Sequence, residues 1–391
     1  MSEHYDYAVL GLGGIGSAAC YWLAKTTGKR VLGVEQFQLG HDHGASQDHS
    51  RIIRRSYHKP EYAALTQAAY DTWHEVEAEA GLQLVIQSGG LDLGDGTDAS
   101  NASLAEFAAT MDRFDIPYEE LSATQVGDRW PQFQLRPGDR ALYQQQSGLV
   151  DARRANATHM ALARAHGAVI RPGTPVRKVH VGQPVELLTD QWSATADALV
   201  IATGAWTAPL LADIGVDVPL SVSQEQVTYF ATPHLADFQP SRFPVWIWHF
   251  GDQTDFYGLP IHGEIATKAT RELLVNAVTP DTRTYEPNRE AVEQLTAFLA
   301  ERIPGFLGPE LYTKTCLYTL PADRGFILDT LPGHPNVATV VGAGHAFKFA
   351  SLLGRICGQL VSEGGTPHPI DAFSLSRPQL RTSGGLEQLI M

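Results

Sequence analysis

Cysteine is scarce in this chain. Cys20, Cys316 and Cys357 are the only three among 391 residues, and no pair has CxxC or other metal-ligand spacing. That excludes a disulfide framework and a thiolate metal cluster, and a reducing, cytoplasmic setting is expected. Positive charge is short as well: 29 Lys and Arg face 43 Asp and Glu, a net charge of -14. Nucleic acid, which selects basic surfaces, is not an expected partner. No apolar run reaches the length of a membrane span, so no membrane association is expected. The N-terminus lacks a basic stretch leading into an apolar one, so no signal peptide is expected. The final Leu389-Ile390-Met391 is no SKL-type address.

What is present fits a globular protein with a large core, in one large domain or two ordinary ones: 43% of residues are hydrophobic and 18% charged. The short apolar run 5–10 reads as a buried strand, the Ala-rich 15–25 as a helix and 30–34 as a second strand, which completes a βαβ start. The polar stretch 37–50 reads as a loop. A helix is expected over 60–80, with Pro60 in its first turn and Gly81 as its stop. Further helices are expected at 102–114, 155–166 and up to Ile303, where Pro304 ends the run. Strands are expected at 174–179, 185–189, 192–195, 198–202, 226–230, 244–248, 256–259, 316–320 and 337–341, the last leading through Gly342-Ala343-Gly344 into a helix as far as Leu360. The expectation is an α/β protein: a discontinuous, Rossmann-like cofactor domain (1–85, 147–215, 321–391) with a β-rich, antiparallel substrate or cap domain (86–146, 216–320).

Gly11-Leu12-Gly13-Gly14-Ile15-Gly16 follows the first strand and opens the first helix. That is where a dinucleotide pyrophosphate needs a tight turn, close backbone approach and a helix N-terminus. Glu35, ending the second strand, can accept both hydroxyls of a ribose, and its charge disfavours a 2′-phosphate. The motif does not separate NAD from FAD. Thr203-Gly204, before Trp206 and after the apolar strand, leans toward FAD, although a generic turn would look the same. Arg51 and Arg54 would share one face if helical, and arginine suits a carboxylate; ordinary surface arginines would also fit. Lys348, between Phe347 and Phe349, is either poised at a ligand or on a solvated helix face. Lys268 taken alone reads as a surface residue, and Cys316 alone as a small buried hydrophobe. Cys316 and Tyr318 point to one face of their strand. Trp246 and Trp248 either bound the pocket or belong to the core.

Together these residues resemble the monomeric sarcosine oxidase family of FAD-dependent amine oxidases, which includes N-methyltryptophan and pipecolate oxidases. The resemblance runs through the glycine motif, Glu35-Gln36-Phe37, SQDHSRIIR from Ser46 to Arg54, FYGLP from Phe256, Lys268, CLYTL from Cys316, and GAGHAFKF from Gly342 to Phe349 with His345. Its wording looks closest to the pipecolate and peroxisomal sarcosine oxidase branch. The resemblance implies FAD, carried covalently by Cys316 through its 8α-methyl group. It implies a substrate carboxylate held by Arg54 and Lys348, oxygen activated beside Lys268, Tyr257 and Tyr318 lining the substrate pocket, Arg51 near the flavin ring, and backbone contact of Val176 with the adenine. The implied reaction is hydride transfer from a secondary or cyclic α-amino acid to flavin N5, with O2 as reoxidant, giving H2O2 and an imine that hydrolyses. A dehydrogenase passing electrons to another acceptor is the alternative. A monomer or small homo-oligomer is expected. Two departures stand out. The family's His-Gly pair falls on Gln47-Asp48, unless a shift brings His49 to the flavin. The family's active-site histidine falls on Glu272, which would permit a substrate with a second cationic group.

Overall fold

The computed structural model describes residues 3–250, 255–272 and 276–382; the C-terminal tripeptide discussed above lies outside them. Two large sheets and one small sheet organise the chain. The apolar run after Glu3 forms the strand Glu3–Leu10, which pairs in parallel with Val31–Val34 on one side and Ser193–Ile201 on the other. Val169–Arg171 extends the parallel array beyond Val31–Val34, and His334–Val341 pairs in parallel with Leu199 to Ile201. Val176–His180, Val185–Thr189 and Ile327–Leu331 add antiparallel partners, for eight strands in all. Val31–Val34 and the stretches 198–201 and 337–341 are buried throughout, which is why they read as unbroken apolar runs. Helices Gly14–Thr27, Ala152–Ala165 and Ala350–Glu363 pack together through one continuous core.

The second sheet has nine strands. Leu220–Phe230 lies between Glu310–Pro321 and Thr267–Arg271; beyond it come Asp255–Leu259, Val245–His249, Gly90–Gly94, Arg140–Gln144 and Glu119–Ser122. The pairing is antiparallel except between Val245–His249 and Gly90–Gly94. Alternation along Val245–His249 sends Trp246 and Trp248 into the core under helix Arg289–Arg302, both 0% exposed, and turns Ile247 toward the cavity. The two tryptophans are therefore core residues. A third, three-stranded sheet joins Arg51–Ile53, Gly148–Val150 and Val85–Gln87.

Several expectations are corrected. The runs 192–195 and 198–202 are one strand, Ser193–Ile201, because Glu3–Leu10 pairs with it without a break from Ala194 to Ile201. The strand around Cys316 is longer, Glu310–Pro321, held by its partner along its whole length. Arg51 starts a strand, as suits two β-branched isoleucines in succession, so the condition that Arg51 and Arg54 lie on a helix is not met. The segment after Gly344 passes through a 3-10 turn, Ala346–Phe349, before the helix begins.

Candidate active site

The parallel strands end together: Leu10 is in register with Val34 and Ile201. Ligands in open α/β sheets lie beyond such carboxyl ends. A cavity of about 820 Å³ opens there and runs across to the face of the second sheet. At its first end the walls are backbone. Gly11 has φ +87°, and a Cβ there would lie 2.6 Å from the Ala202 carbonyl oxygen. A Cβ on Gly16 would lie 1.8 Å from the Gly11 carbonyl, so only glycine lets the helix start this close to the strand. Gly13, Gly14 and Ile15 line the cavity, and Gly16 supports them from behind. The Gly14 N–H, at the helix N-terminus, donates to the Ser46 hydroxyl at 2.8 Å.

Glu35 is buried at this end. One oxygen accepts from the Leu12 N–H at 2.8 Å, the other from the Phe37 N–H at 3.1 Å, and His41 lies at 3.5 Å. Burial raises its pKa, but His41 and the two backbone donors outweigh that and hold the carboxyl below its usual range. It is an anion with lone pairs to spare, as a ribose site needs. Gln36, Val176, Thr203, Gly204 and Trp206 complete the wall. The glycine cradle, the helix N-terminus and the fixed anion fit the AMP half of FAD.

The other end is charged. Arg51, Arg54, Tyr257, Lys268, Glu272, Cys316, Tyr318, Gly342, Gly344, His345, Phe347 and Lys348 all face it. The Arg54 guanidinium carbon lies 5.1 Å and the Lys348 ammonium 5.6 Å from the same Tyr57 ring, so the two cations share one wall. Arg54 donates to Asp92 at 2.5 Å, and His249 stands behind this wall, 2.9 Å from Asp92 and 3.0 Å from Asp255. Burial would lower the His249 pKa, yet its two carboxylate partners win and raise it to about 9. Lys348 has no carboxylate within ion-pair distance among the described residues. Burial, then the Arg54 charge, pushes its pKa down to about 7. Trp73 fixes its backbone by donating to the Lys348 carbonyl at 2.8 Å.

Lys268 is 2% exposed, not a surface residue. Its ammonium donates to Asp48 at 2.5 Å and to the Ser50 carbonyl at 2.7 Å. Cys316 and Tyr318 share one face, as alternation requires, and the hydroxyls of Tyr318 and Tyr257 are 3.4 Å apart. Gly344 has φ +81°, and a Cβ there would strike the Tyr318 ring at 2.5 Å. Burial pushes the Cys316 thiol up to about 11, with the Arg51 charge opposing it. Glu272 is pushed up to about 7 by burial and by Asp255. Arg324 stands 4.0 Å from it.

Gln47 lines the cavity; His49 instead packs edge-on against Tyr229, with ring centroids 5.9 Å apart. No local shift brings His49 into the site. Sequence reasoning missed Asp48 and Asp92 as partners of the cations. Asp92 carried a signal: it is the single charge in Gly90-Leu91-Asp92-Leu93-Gly94, a wholly buried strand. Among the described residues no cluster of His, Cys, Asp and Glu could hold a metal, and no helix is long and apolar enough to cross a membrane.

Comparison with known proteins bears on this geometry. The DAO family model, described as FAD dependent oxidoreductase, matches residues 6–360. The monomeric sarcosine oxidase of Streptomyces avermitilis is 33% identical over 384 residues, 96% of this chain and 98% of the relative. The peroxisomal sarcosine oxidase of Homo sapiens is 30% identical over 378 residues, 95% of this chain and 96% of the relative. A solved open form of NikD, described as an unusual amino acid oxidase essential for nikkomycin biosynthesis, has a TM-score of 0.85 and 28% identity, covering 95% of this chain and 98% of that one.

Proposed function

The chain belongs to the DAO family of FAD-dependent oxidoreductases, and from that premise we propose that it oxidises the C–N bond of a secondary or cyclic α-amino acid, of the sarcosine, pipecolate or N-methyl amino acid type, with oxygen as the terminal acceptor. The observation that carries this reading is Lys348. It is an amine enclosed in the cavity beside Arg54, with no carboxylate at ion-pair distance among the described residues, and with burial and Arg54 lowering its pKa to about 7 an anionic ligand is what would hold it charged. Such a group calls for an anionic ligand. Arg54, although tied to Asp92, has a buried Nε without a hydrogen-bond partner among the described residues.

A carboxylate between Arg54 and Lys348 fixes the substrate at one end by charge-assisted hydrogen bonds. The same positive charges disfavour an ammonium nearby, so the substrate amine is held as the free base that oxidation requires. Tyr257 and Tyr318 bound its side. Bound FAD supplies the two-electron acceptor. Lys268 supplies a fixed positive charge where reduction of oxygen builds up negative charge. Cys316 is the cavity-facing thiol on which covalent attachment of the flavin is proposed. In this reading the first sheet, with 1–85, 147–215 and 321–391, is the FAD-binding domain, and the second, with 86–146 and 216–320, is the substrate cap.

The test is a peroxide-coupled screen of secondary amino acids under air with the purified protein, followed by acid precipitation and mapping of the flavin-bearing peptide. Peroxide released with at least one such substrate, and colour retained on the peptide containing Cys316, are expected. Flavin bleaching by substrate without peroxide in air would instead favour a dehydrogenase using another acceptor. Colour left in the acid supernatant would overturn the covalent link.

A further inference from the structure

Lys268 is not a free ammonium. It sits at the centre of a buried polar cluster whose hub is Asp48. The two Asp48 carboxylate oxygens accept from four donors: Lys268 at 2.5 Å, Arg51 at 2.7 Å, the Tyr229 hydroxyl at 2.5 Å and the His49 N–H at 2.8 Å. The Asp48 side chain is 4% exposed and that of Lys268 3%. A carboxylate so engaged is a fixed anion. Burial alone would raise its pKa, but Lys268 and Arg51 hold it far below the usual carboxylate range.

We propose that Asp48 is a positioning residue for Lys268, keeping that lysine charged and aimed into the cavity at neutral pH. The proposal rests on the reading of Lys268 as the cation on the oxygen side. The physical problem is plain: an ammonium buried beside Arg51 has two reasons to lose its proton, desolvation and like charge. Asp48 is the carboxylate that touches it. The other groups facing Lys268 are the Tyr229 ring, 5.8 Å from the ammonium, the Cys316 thiol and Arg51. Tyr312 packs at a tilt against Tyr229, with Glu264 behind it. Neither the thiol nor the phenols are anions near pH 7, since burial raises all their pKa values. The balance leaves Lys268 with a pKa lowered to about 8, burial pulling it down and Asp48 holding it up. Asp48 and the Ser50 carbonyl also take two of the three ammonium donors, and Lys268 lines the cavity.

Two measurements on the holoenzyme test this. The first is the pH titration of lysine ¹³Cε resonances, with Lys268 assigned by its loss in Lys268→Met. The second is the rate of reoxidation of the reduced enzyme by oxygen against pH. In the wild type the Lys268 resonance should titrate near pH 8, and reoxidation should fall above the same pH. In Asp48→Asn both midpoints should move down together, with reoxidation at pH 7.5 falling about tenfold or more and recovering toward pH 6. Asp48→Glu should restore the wild-type profile. An Asp48→Asn enzyme slowed equally at every pH, with Lys268 titrating as before, would overturn the proposal. So would a wild-type Lys268 midpoint below about pH 6.5, a measurement needing no variant at Asp48. If Lys268→Met reoxidises at the wild-type rate, the oxygen-side reading fails, and the resonance shift alone then decides whether Asp48 holds the lysine charged.

Discussion

The two ends of the cavity are built from different materials. The nucleotide end is backbone: glycines at van der Waals limits, a helix N-terminus and one anion fixed by main-chain donors. The far end is side chains: Arg54, Lys268, Lys348 and Glu272, reaching in from three segments, with Arg54 and Lys268 each tied to a buried carboxylate. A backbone site tolerates no added atom but depends little on pH. A side-chain site keeps its shape under conservative substitution but is sensitive to the charge of every neighbour. The first end suits a cofactor that the whole family shares, and the second suits a substrate that differs among its members.

The largest effect expected from this contrast is at Gly16. A methyl group there would overlap the Gly11 carbonyl, at 1.8 Å, and neither backbone segment can yield without moving a strand or a helix. Gly16→Ala should cost about 3 kcal/mol or more and purify without flavin colour; full FAD content in that variant would break the account of the backbone end. At the charged end the next effect is a pH dependence of stability. His249 is raised to about 9 from a reference value of 6.5, so its stabilising contribution is complete below pH 6.5 and is lost as pH rises through 9. His249→Gln should remove about 3 kcal/mol at pH 6 and much less at pH 9.5. A gap in Tm between wild type and variant that stays constant from pH 6 to 9.5 would contradict the pairing of His249 with Asp92 and Asp255. The smallest effect belongs to Glu272. Glu272→Gln should change kcat/KM for neutral secondary amino acids by less than about tenfold while lowering it more for basic ones. An unchanged ratio between the two substrate classes would remove Glu272 from specificity.

The same contrast governs what the sequence made legible. The strand–glycine–helix start, Glu35 and the βαβ order were readable because local spacing forces them. The helix over 60–80 was readable to its last residue, since Pro60 and Gly81, at φ 64°, punctuate it. The charged end was readable only through resemblance. Nothing local tells a buried Lys268 from a surface one; its burial follows from Asp48, 220 residues earlier in the chain. Asp48 was passed over because the family pattern offered glycine at that position, so no role came with it. Whether the two arginines share a face stayed open, because a spacing of three says nothing until the backbone is known; Ile52 and Ile53 lie in a strand that Arg51 begins. The Trp246 and Trp248 ambiguity was one of face, decided by register against Asp255–Leu259 and Gly90–Gly94.

The central claim is that the charged end grips the acid group of an amino acid. It is tested most directly by anaerobic flavin reduction in wild type and Arg54→Ala, using one secondary α-amino acid and the amine that differs from it only by lacking the carboxylate. The account predicts that Arg54→Ala loses about 2–5 kcal/mol of transition-state binding for the acid and almost nothing for the amine. An equal loss for both would contradict it.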